Sequence, residues 1–536
     1  MVFVLTTIFY IYTLIPSLAW GDGTHLQGDA ITGKSFILAE MTRDEFNPDP
    51  YLFAKVGVAA WDHPLYIMLG YLLVKTFPFV DSLWLVNLIS AIFGAASIVL
   101  VFLICYRSTE SLLASCYASF SLAVSHTFWW HSSTPEVYTL FIFLLLASIY
   151  FFEHYEITSK YSFLGYSAFF LGLAASNHLL AFLAIPALVL YYLLSRSPRP
   201  YSISELPNLR LPILGFLAGF MIYVIQFTRL SRNIPINEIM GPVVGSTFLS
   251  QLWKLTPALL GESLLTYLLL LIVQFGPVGV ILGVLGINQI FRSSDLYVRK
   301  LVAFLIVYTI FGIFYKVTDQ FAFFMTSHVF WAMIMGIGAH HIFSRLSGKM
   351  RLVVASILAI MILGTPFFYG ALPNLARQAG MSDASMDIPQ IGTGIRDGLS
   401  YYINPNKHGD FNAYNFGYQT IERLAPNSVV VAEWYTDTDE YFIFRYFTKV
   451  KGLRPDVTVF GWPTQDPFSF NPQLVLQVID DAFSTHPIYL ASLSDQFYAS
   501  SKLIDLYCIV PENNLYRLYP KENSSLQCLK NNSVTE

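Results

Sequence analysis

The chain has 536 residues, of which 55% are hydrophobic, 16% aromatic and 12% charged, with a formal net charge of −4 and a mean hydropathy of +0.53. That hydropathy excludes an ordinary soluble domain for the larger, N-terminal part of the chain. The small net charge excludes a nucleic-acid partner, which would want a basic face, and four cysteines are too few for a disulfide scaffold.

In chain order, apolar runs predict membrane helices at about 2–20, 84–105, 111–128, 136–152, 162–176, 178–194, 211–228, 264–287, 301–315, 321–343 and 352–371. Each is near the roughly 20 residues that cross a bilayer. The first run has no basic residue before it and ends in Leu18-Ala19-Trp20 rather than a small-x-small step, so it is read as a retained first transmembrane helix. Pro64 to Phe77 is apolar but short, opens on Asp62-His63-Pro64 and holds Lys75; it predicts an interfacial helix.

Lys and Arg set the orientation. With the N-terminus inside, the inner loops hold Arg107, Lys160, Arg196, Arg199, Arg210, Arg292, Arg299, Lys300, Arg345, Lys349 and Arg351. The short outer loops near 79–83, 129–135 and 176–178 hold none, and that at 316–320 holds only Lys316. Counting Pro64 to Phe77 as a span would invert every later loop. Two long outer loops follow, Gly21 to Asp62 and Arg229 to Glu262.

After about residue 371 the composition turns polar, which divides the chain into a membrane domain, 1–371, and an extracytoplasmic domain, 372–536. Ser428 to Trp434 predicts a buried parallel strand. Val457 to Phe460 and Pro487 to Ser492 predict two more, and Tyr507 to Val510 with Tyr516 to Leu518 a closing hairpin. Strands alternating with helices imply a small C-terminal α/β domain. Cys508 and Cys528 lie in this tail and can pair if it is outside; Cys105 and Cys116 lie in apolar segments and read as packing residues.

The chemically capable residues gather on the outer side. Asp22 follows the first span between two glycines. It reads either as a loop residue ending a helix or as a general base on an incoming hydroxyl. His63 can cap the following helix or bind a phosphate. Trp129 and Trp130 read first as an interfacial aromatic belt, and beside a carboxylate such rings also suit the apolar faces of a sugar, with Tyr138 nearby. Glu136, at the mouth of a membrane helix, is costly unless it caps, pairs or works. Ser176-Asn177-His178 is either a tight turn or a ligand-binding outer mouth. Lys316 is a candidate for a lipid phosphate, in competition with Arg229 and Arg232, and Asp319 shares its turn. No Walker loop, Gly-x-Gly-x-x-Gly or His-Glu-x-x-His occurs, and His340-His341 are adjacent on the inner side, so no metal or cofactor site is expected.

The order of these features resembles the membrane glycosyltransferases of the C-type fold, and within them glycosyltransferase family 117, relatives of the animal transmembrane protein O-mannosyltransferases. The resemblance rests on Gly21-Asp22-Gly23-Thr24-His25, where the family has Gly-Asp-Ser-Gly-Glu; on His63-Pro64-Leu65-Tyr66; on Trp129-Trp130 with Glu136-Val137-Tyr138; on Asn177-His178; on Asp319 to Met325; and on Val450 to Val457 in the tail. It implies a polytopic α-helical membrane protein of C-type glycosyltransferase architecture, with about 11 transmembrane helices, an interfacial helix and the C-terminal α/β domain. It also implies Asp22 as catalytic base and a polyprenyl-phosphate sugar as the lipid-linked donor. His25, where the family has Glu, departs from the pattern.

The expected function is transfer of a sugar, a hexose such as mannose, to a protein or glycan acceptor at the outer or lumenal face. The setting is an integral membrane protein of the cell membrane or endoplasmic reticulum. His63, His178 and Lys316 would steady the phosphate, and a single base on the acceptor leans toward inversion. The competing readings are a lipid or solute transporter, which predicts midplane polar residues and a pseudo-repeat, and a lipid-phosphate phosphatase, for which no nucleophile constellation stands out.

Overall fold

The computed structural model describes residues 1–33, 63–195, 209–232, 256–293, 298–317, 319–386, 388–433, 440–461, 472–521 and 526–529. The membrane part holds fifteen helices among these residues: α1 Val2–Thr13, α2 Asp22–Thr32, α3 Pro64–Thr76, α4 Ser82–Thr109, α5 Leu112–Ala123, α6 His126–Ser133, α7 Tyr138–Thr158, α8 Tyr161–Asn177, α9 Ala184–Ser195, α10 Arg210–Leu230, α11 Pro257–Arg292, α12 Arg299–Phe314, α13 Gln320–Phe323, α14 Met325–Arg345 and α15 Gly348–Gln378. Five of the described helices, α4, α7, α10, α11 and α15, are long and apolar enough to cross a membrane.

Several expected spans are shorter or broken, each for a local reason. The run 2–20 is helical only to Thr13, and Leu14 is extended. Pro16 lacks an N–H and disfavours helix in the residue before it, so the chain runs on to Asp22 without helix. The run 111–128 stops at Ala123 and restarts at His126, and the expected outer loop at 129–135 is largely the buried helix α6. The run at 178–194 opens with a 3-10 turn, Leu179–Leu183. α7 starts at Tyr138, which leaves Glu136 in the connection before the span. The expected outer loop 21–62 begins with α2, whose Thr24 to Ala30 are all buried. α3, at 13 residues, is only about 20 Å long, too short to span.

Helices meet closely where glycine allows it. A Cβ on Gly286 would lie 2.0 Å from the Ile334 carbonyl oxygen, and one on Gly338 2.0 Å from that of Leu282, so α11 and α14 touch backbone to backbone. α11 is kinked at Gly276, where φ is 65°. Pro277 has no N–H to offer the Val273 carbonyl four residues back. The Tyr369 hydroxyl of α15 donates to that carbonyl instead, at 2.7 Å.

The tail carries α16 Gly398–Ile403, α17 Asn412–Arg423, β1 Val429–Ala432, α18 Glu440–Arg445, β2 Thr458–Gly461, α19 Pro472–Phe483, β3 Ile488–Leu490, α20 Asp495–Tyr498, α21 Ser500–Leu506, β4 Tyr507–Glu512 and β5 Leu515–Pro520. The sheet order is β2-β1-β3-β5-β4. β1 pairs parallel with β2 and β3, while β5 runs antiparallel to β3 and β4. β1 is buried along its length, as an all-apolar central parallel strand requires. The hairpin turns on Asn513-Asn514, both at positive φ, as a two-residue hairpin turn demands. Residue 371, the expected domain boundary, falls inside α15. The tail core that holds Ile391, Phe416, Val430 and Tyr489 also takes in Leu18, Trp20, Leu83 and Trp130 of the membrane part.

Cys508 and Cys528 form a disulfide with a Cα–Cα distance of 5.1 Å. It closes a loop of 20 residues, and loop-closure entropy then stabilises the tail by about 3 kcal/mol. Cys508→Ser with Cys528→Ser should lower the denaturation midpoint of the tail accordingly while leaving the membrane helices intact. An unchanged midpoint would show the bridge to be energetically idle.

Candidate active site

Asp22 is the first residue of α2 and is exposed. The two glycines beside it do different things. Gly21 sits at φ 72°, ψ −152°, a conformation that side-chain-bearing residues rarely adopt. Gly23 makes room for a neighbour, since a Cβ there would lie 2.9 Å from Pro135 Cγ. The residue after Pro135 is Glu136, so the packing that excludes a side chain at 23 brings the Asp22 turn against the Glu136 connection.

Buried amides hold the approach to Asp22. Gln27 donates to Asn87 Oδ1 (2.6 Å) and to the Ser17 carbonyl (3.0 Å), and accepts from the Ala19 N–H (3.2 Å). Asn87 donates to the Ile15 and Ser17 carbonyls (2.9 and 3.0 Å). In the non-helical stretch around Pro16, the Ile15 and Ser17 carbonyls and the Ala19 N–H are thus satisfied by side chains of α2 and α4, as buried backbone must be.

The second wall is built on α3 and the α8 end. His63 precedes Pro64 with φ 30°, a strained setting for a non-glycine residue. Its Nδ1–H donates to the Asn177 carbonyl at 2.7 Å, which leaves Nε2 as the free edge. His178 Nδ1 accepts from the Leu180 N–H at 3.1 Å, so the neutral ring carries its proton on Nε2 and presents a donor there. The two rings stack at 5.2 Å. Asn177 Nδ2 donates to the Val137 carbonyl (2.9 Å), and its Oδ1 is buried without a hydrogen-bond partner among the described residues. Burial lowers the His63 pKa to about 4.

Glu136 is half-buried, and its backbone exchanges hydrogen bonds with Ser90 Oγ. Burial, then the charges of Asp22 and Asp319, push its carboxyl well above the ordinary carboxylate range. The charge of Asp22 also reaches His63. Tyr138 packs on His178 (5.5 Å) and on His131 (5.0 Å), and Trp130 on His131 (5.0 Å). Asp22, His63, Glu136, Tyr138, Asn177, His178 and Asp319 are therefore linked, by contact or by charge, around one locus, with Trp130 behind. Lys316 instead donates to Glu262 Oε1 at 2.8 Å, in a largely exposed pair.

Sequence reasoning missed the groups that hold α6, the helix bearing Trp130. Its first N–H groups are taken by the Tyr369 hydroxyl (to His126, 3.2 Å) and by Gln274 Oε1 (to Thr127, 3.0 Å). On the tail side, Trp130 Nε1–H donates to the Tyr401 carbonyl (3.3 Å) and the His126 ring to that of Tyr402 (2.7 Å). Among the described residues no group of three His, Cys, Asp or Glu side chains is placed to hold a metal ion.

The overall fold recurs in solved membrane enzymes. ArnT from Cupriavidus metallidurans bound to undecaprenyl phosphate aligns over 96% of this chain and 97% of its own, with a TM-score of 0.59 at 12% identity. The apo form aligns over 96% of both chains, with a TM-score of 0.53 at 13% identity. The apo oligosaccharyltransferase of Archaeoglobus fulgidus aligns over 98% of this chain and 74% of its own, with a TM-score of 0.50 at 10% identity. At such identities the likeness is one of fold, that of the C-type membrane glycosyltransferases. Residues 62–200 match the family model described as Protein O-mannosyl-transferase TMEM260 N-terminal domain. The matched family and the structural relatives are glycosyltransferases. No curated protein matches the chain. The TMEM260-type segment contains His63, Trp130, Glu136, Tyr138, Asn177 and His178, while Asp22, Lys316 and Asp319 lie outside it.

Proposed function

We propose that the chain transfers a hexose, mannose by likeness to the matched family, from a polyprenyl-phosphate donor to a hydroxyl of a protein or glycan acceptor. One observation carries this reading. Seven polar or aromatic residues from five separate stretches of sequence meet at one locus, in the fold of an enzyme seen with undecaprenyl phosphate bound. Asp22 takes the proton of the acceptor hydroxyl as that oxygen bonds to the anomeric carbon. The bond from that carbon to the phosphate oxygen breaks, and its electron pair leaves with the polyprenyl phosphate. The His178 Nε2–H donates to the phosphate as charge builds on it. Asn177 Oδ1 can only accept, and so serves a hydroxyl of the sugar rather than the phosphate. Glu136, held toward its neutral form, adds a donor without adding negative charge. A single displacement by one base inverts the anomeric centre. Lys316 is left to the rim by its pairing with Glu262.

The test is incubation of the purified full chain with labelled polyprenyl-phosphate hexoses and hydroxyl-bearing peptide or glycan acceptors. Transfer from the mannosyl donor supports the reading; hydrolysis without transfer, or vectorial movement of intact donor, would replace it.

On this reading the site and the tail lie on the extracytoplasmic face, in keeping with the Lys and Arg bias of the loops. Phe79 is 82% exposed between α3 and α4, and Ser347 is exposed between α14 and α15. In cells, an impermeant thiol reagent applied from outside should label Phe79→Cys and spare Ser347→Cys. The reverse pattern would invert the topology.

A further inference from the structure

The loop between α16 and α17 is seated on the membrane part next to the site. Its Lys407 N–H donates to the Thr13 carbonyl at 2.9 Å. The His408 ring donates to the Tyr12 carbonyl at 2.8 Å and stacks on Tyr12. These are carbonyls in the last turn of α1, which have no donor within their own helix. The Lys407 side chain turns inward and is 3% exposed. Its ammonium donates to the Tyr401 and Asn404 carbonyls, the second at 2.8 Å. It lies 4.1 Å from the Tyr401 ring centroid and 5.7 Å from that of Trp130. Trp130 closes the circuit by donating its indole N–H to the same Tyr401 carbonyl.

The structure assigns Lys407 as a positioning residue for Trp130. From the tail, its ammonium fixes the indole that walls the donor site, through the ring face and through the Tyr401 carbonyl that both groups share. This rests on the reading of Trp130 as part of the sugar-donor site. A cation held over an indole away from water is a strong contact, and the anchor comes from the tail while the ring it holds comes from the membrane part. The aromatic pair also explains why a lysine tolerates such deep burial without a carboxylate in contact.

The arrangement carries a pH dependence. Burial lowers the Lys407 pKa to about 7, partly offset by Asp410. The charged form is therefore present below about pH 7 and lost above it. His126 on α6, Asp397 and Arg396 on the tail, and His408 and Asp410 on its own loop are the other charged or titratable groups around it. The sign separates catalysis from folding. Because the folded chain holds this proton more weakly than the unfolded one, stability rises with pH between about 7 and the ordinary lysine range. The grip on Trp130 falls over the same interval.

The experiment uses the full chain in detergent, with polyprenyl-phosphate mannose as the probe. Lys407→Met should raise the donor KM about ten- to thirtyfold and change kcat by less than about threefold. Lys407→Arg keeps a cation that does not titrate, so it should stay within about threefold of wild type and lose the decline in donor affinity above pH 7. In a Trp130→Phe background, which removes the indole N–H and weakens the ring face, Lys407→Met should have a smaller further effect. A wild-type KM in Lys407→Met, an alkaline decline that survives in Lys407→Arg, or an undiminished effect in Trp130→Phe would each overturn the assignment. Should Lys407→Met fail to fold, the Lys407→Arg profile decides. Should no donor bind even to wild type, the proposed function fails, and indole emission still judges Lys407. The difference spectrum between wild type and Trp130→Phe should titrate with a midpoint near 7 and be flat in Lys407→Arg; a flat wild-type curve refutes the role.

Discussion

Asp22→Asn should abolish most sugar transfer, with a rate loss of about a hundred- to ten-thousandfold, the range for removing a general base. The amide has nearly the same shape and still hydrogen-bonds, but it cannot take the acceptor proton. Asp22 is exposed and outside the buried amide lattice of Gln27 and Asn87, so folding should survive the change. Donor affinity should survive as well, because the phosphate is met by the His178 Nε2–H on the opposite wall. The measurement is kcat on the true acceptor together with donor binding on one preparation. Near-normal turnover would move the base to Glu136 or Asp319. Burial and the charges around Glu136 push its carboxyl well above the ordinary carboxylate range, toward the form that cannot take a proton.

Asn87→Leu should damage both stability and rate. The amide at 87 is fully buried and serves the carbonyls of Ile15 and Ser17 and the side chain of Gln27. Leucine is of similar size, yet it leaves a carbonyl and an amide hydrogen unpaired in a closed setting. Each such group costs about 1–3 kcal/mol, for a total of about 3 kcal/mol in thermal or denaturant unfolding. Because those bonds fix the stretch leading to Asp22, kcat should fall about ten- to a hundredfold even well below the melting point, as misplacement of a reacting group by about 1 Å does. A variant that melts early but turns over normally would show that Asp22 is positioned by something else.

The two variants separate what was readable in the sequence from what was not. Asp22, Glu136 and Asn177-His178 stood out because polar residues at the mouths of apolar runs are costly and therefore informative, and the structure gathers them. The parallel strand at Val429 was legible from its apolar continuity and the closing hairpin from its two short apolar runs, while the Asn513-Asn514 turn itself emerges only in the structure. Gln27 and Asn87 gave no such signal. Gln27 lies in a stretch that reads as an outer loop, and Asn87 is one polar residue in a strongly apolar helix. Their partners are backbone carbonyls made available by Pro16, a pairing only the tertiary structure shows. Lys407 was invisible for a further reason, since a lysine in a polar tail reads as solvated. Lys316, the cation that the sequence singled out, is paired to Glu262 at the rim. The helix ends also moved where proline, glycine or a serine turn competes with hydropathy, as at Leu14, Ala123 and Gly276.

The closing of α1 by the loop at 407–408 bears on how the protein comes into being. The His408 ring meets the Tyr12 carbonyl across 396 positions of sequence. A ribosome releases the first helix and Asp22 long before it makes the residues that complete them, and contacts so distant in sequence form late. Throughout translation and membrane insertion the nascent chain therefore carries Asp22, the base of the proposed reaction, without the settled indole nearby. Under the proposed function, tight donor binding waits until the last quarter of the chain has folded and docked. On that reading half-made copies hold the donor weakly, and a lesion that merely delays folding of the tail weakens an otherwise intact membrane part.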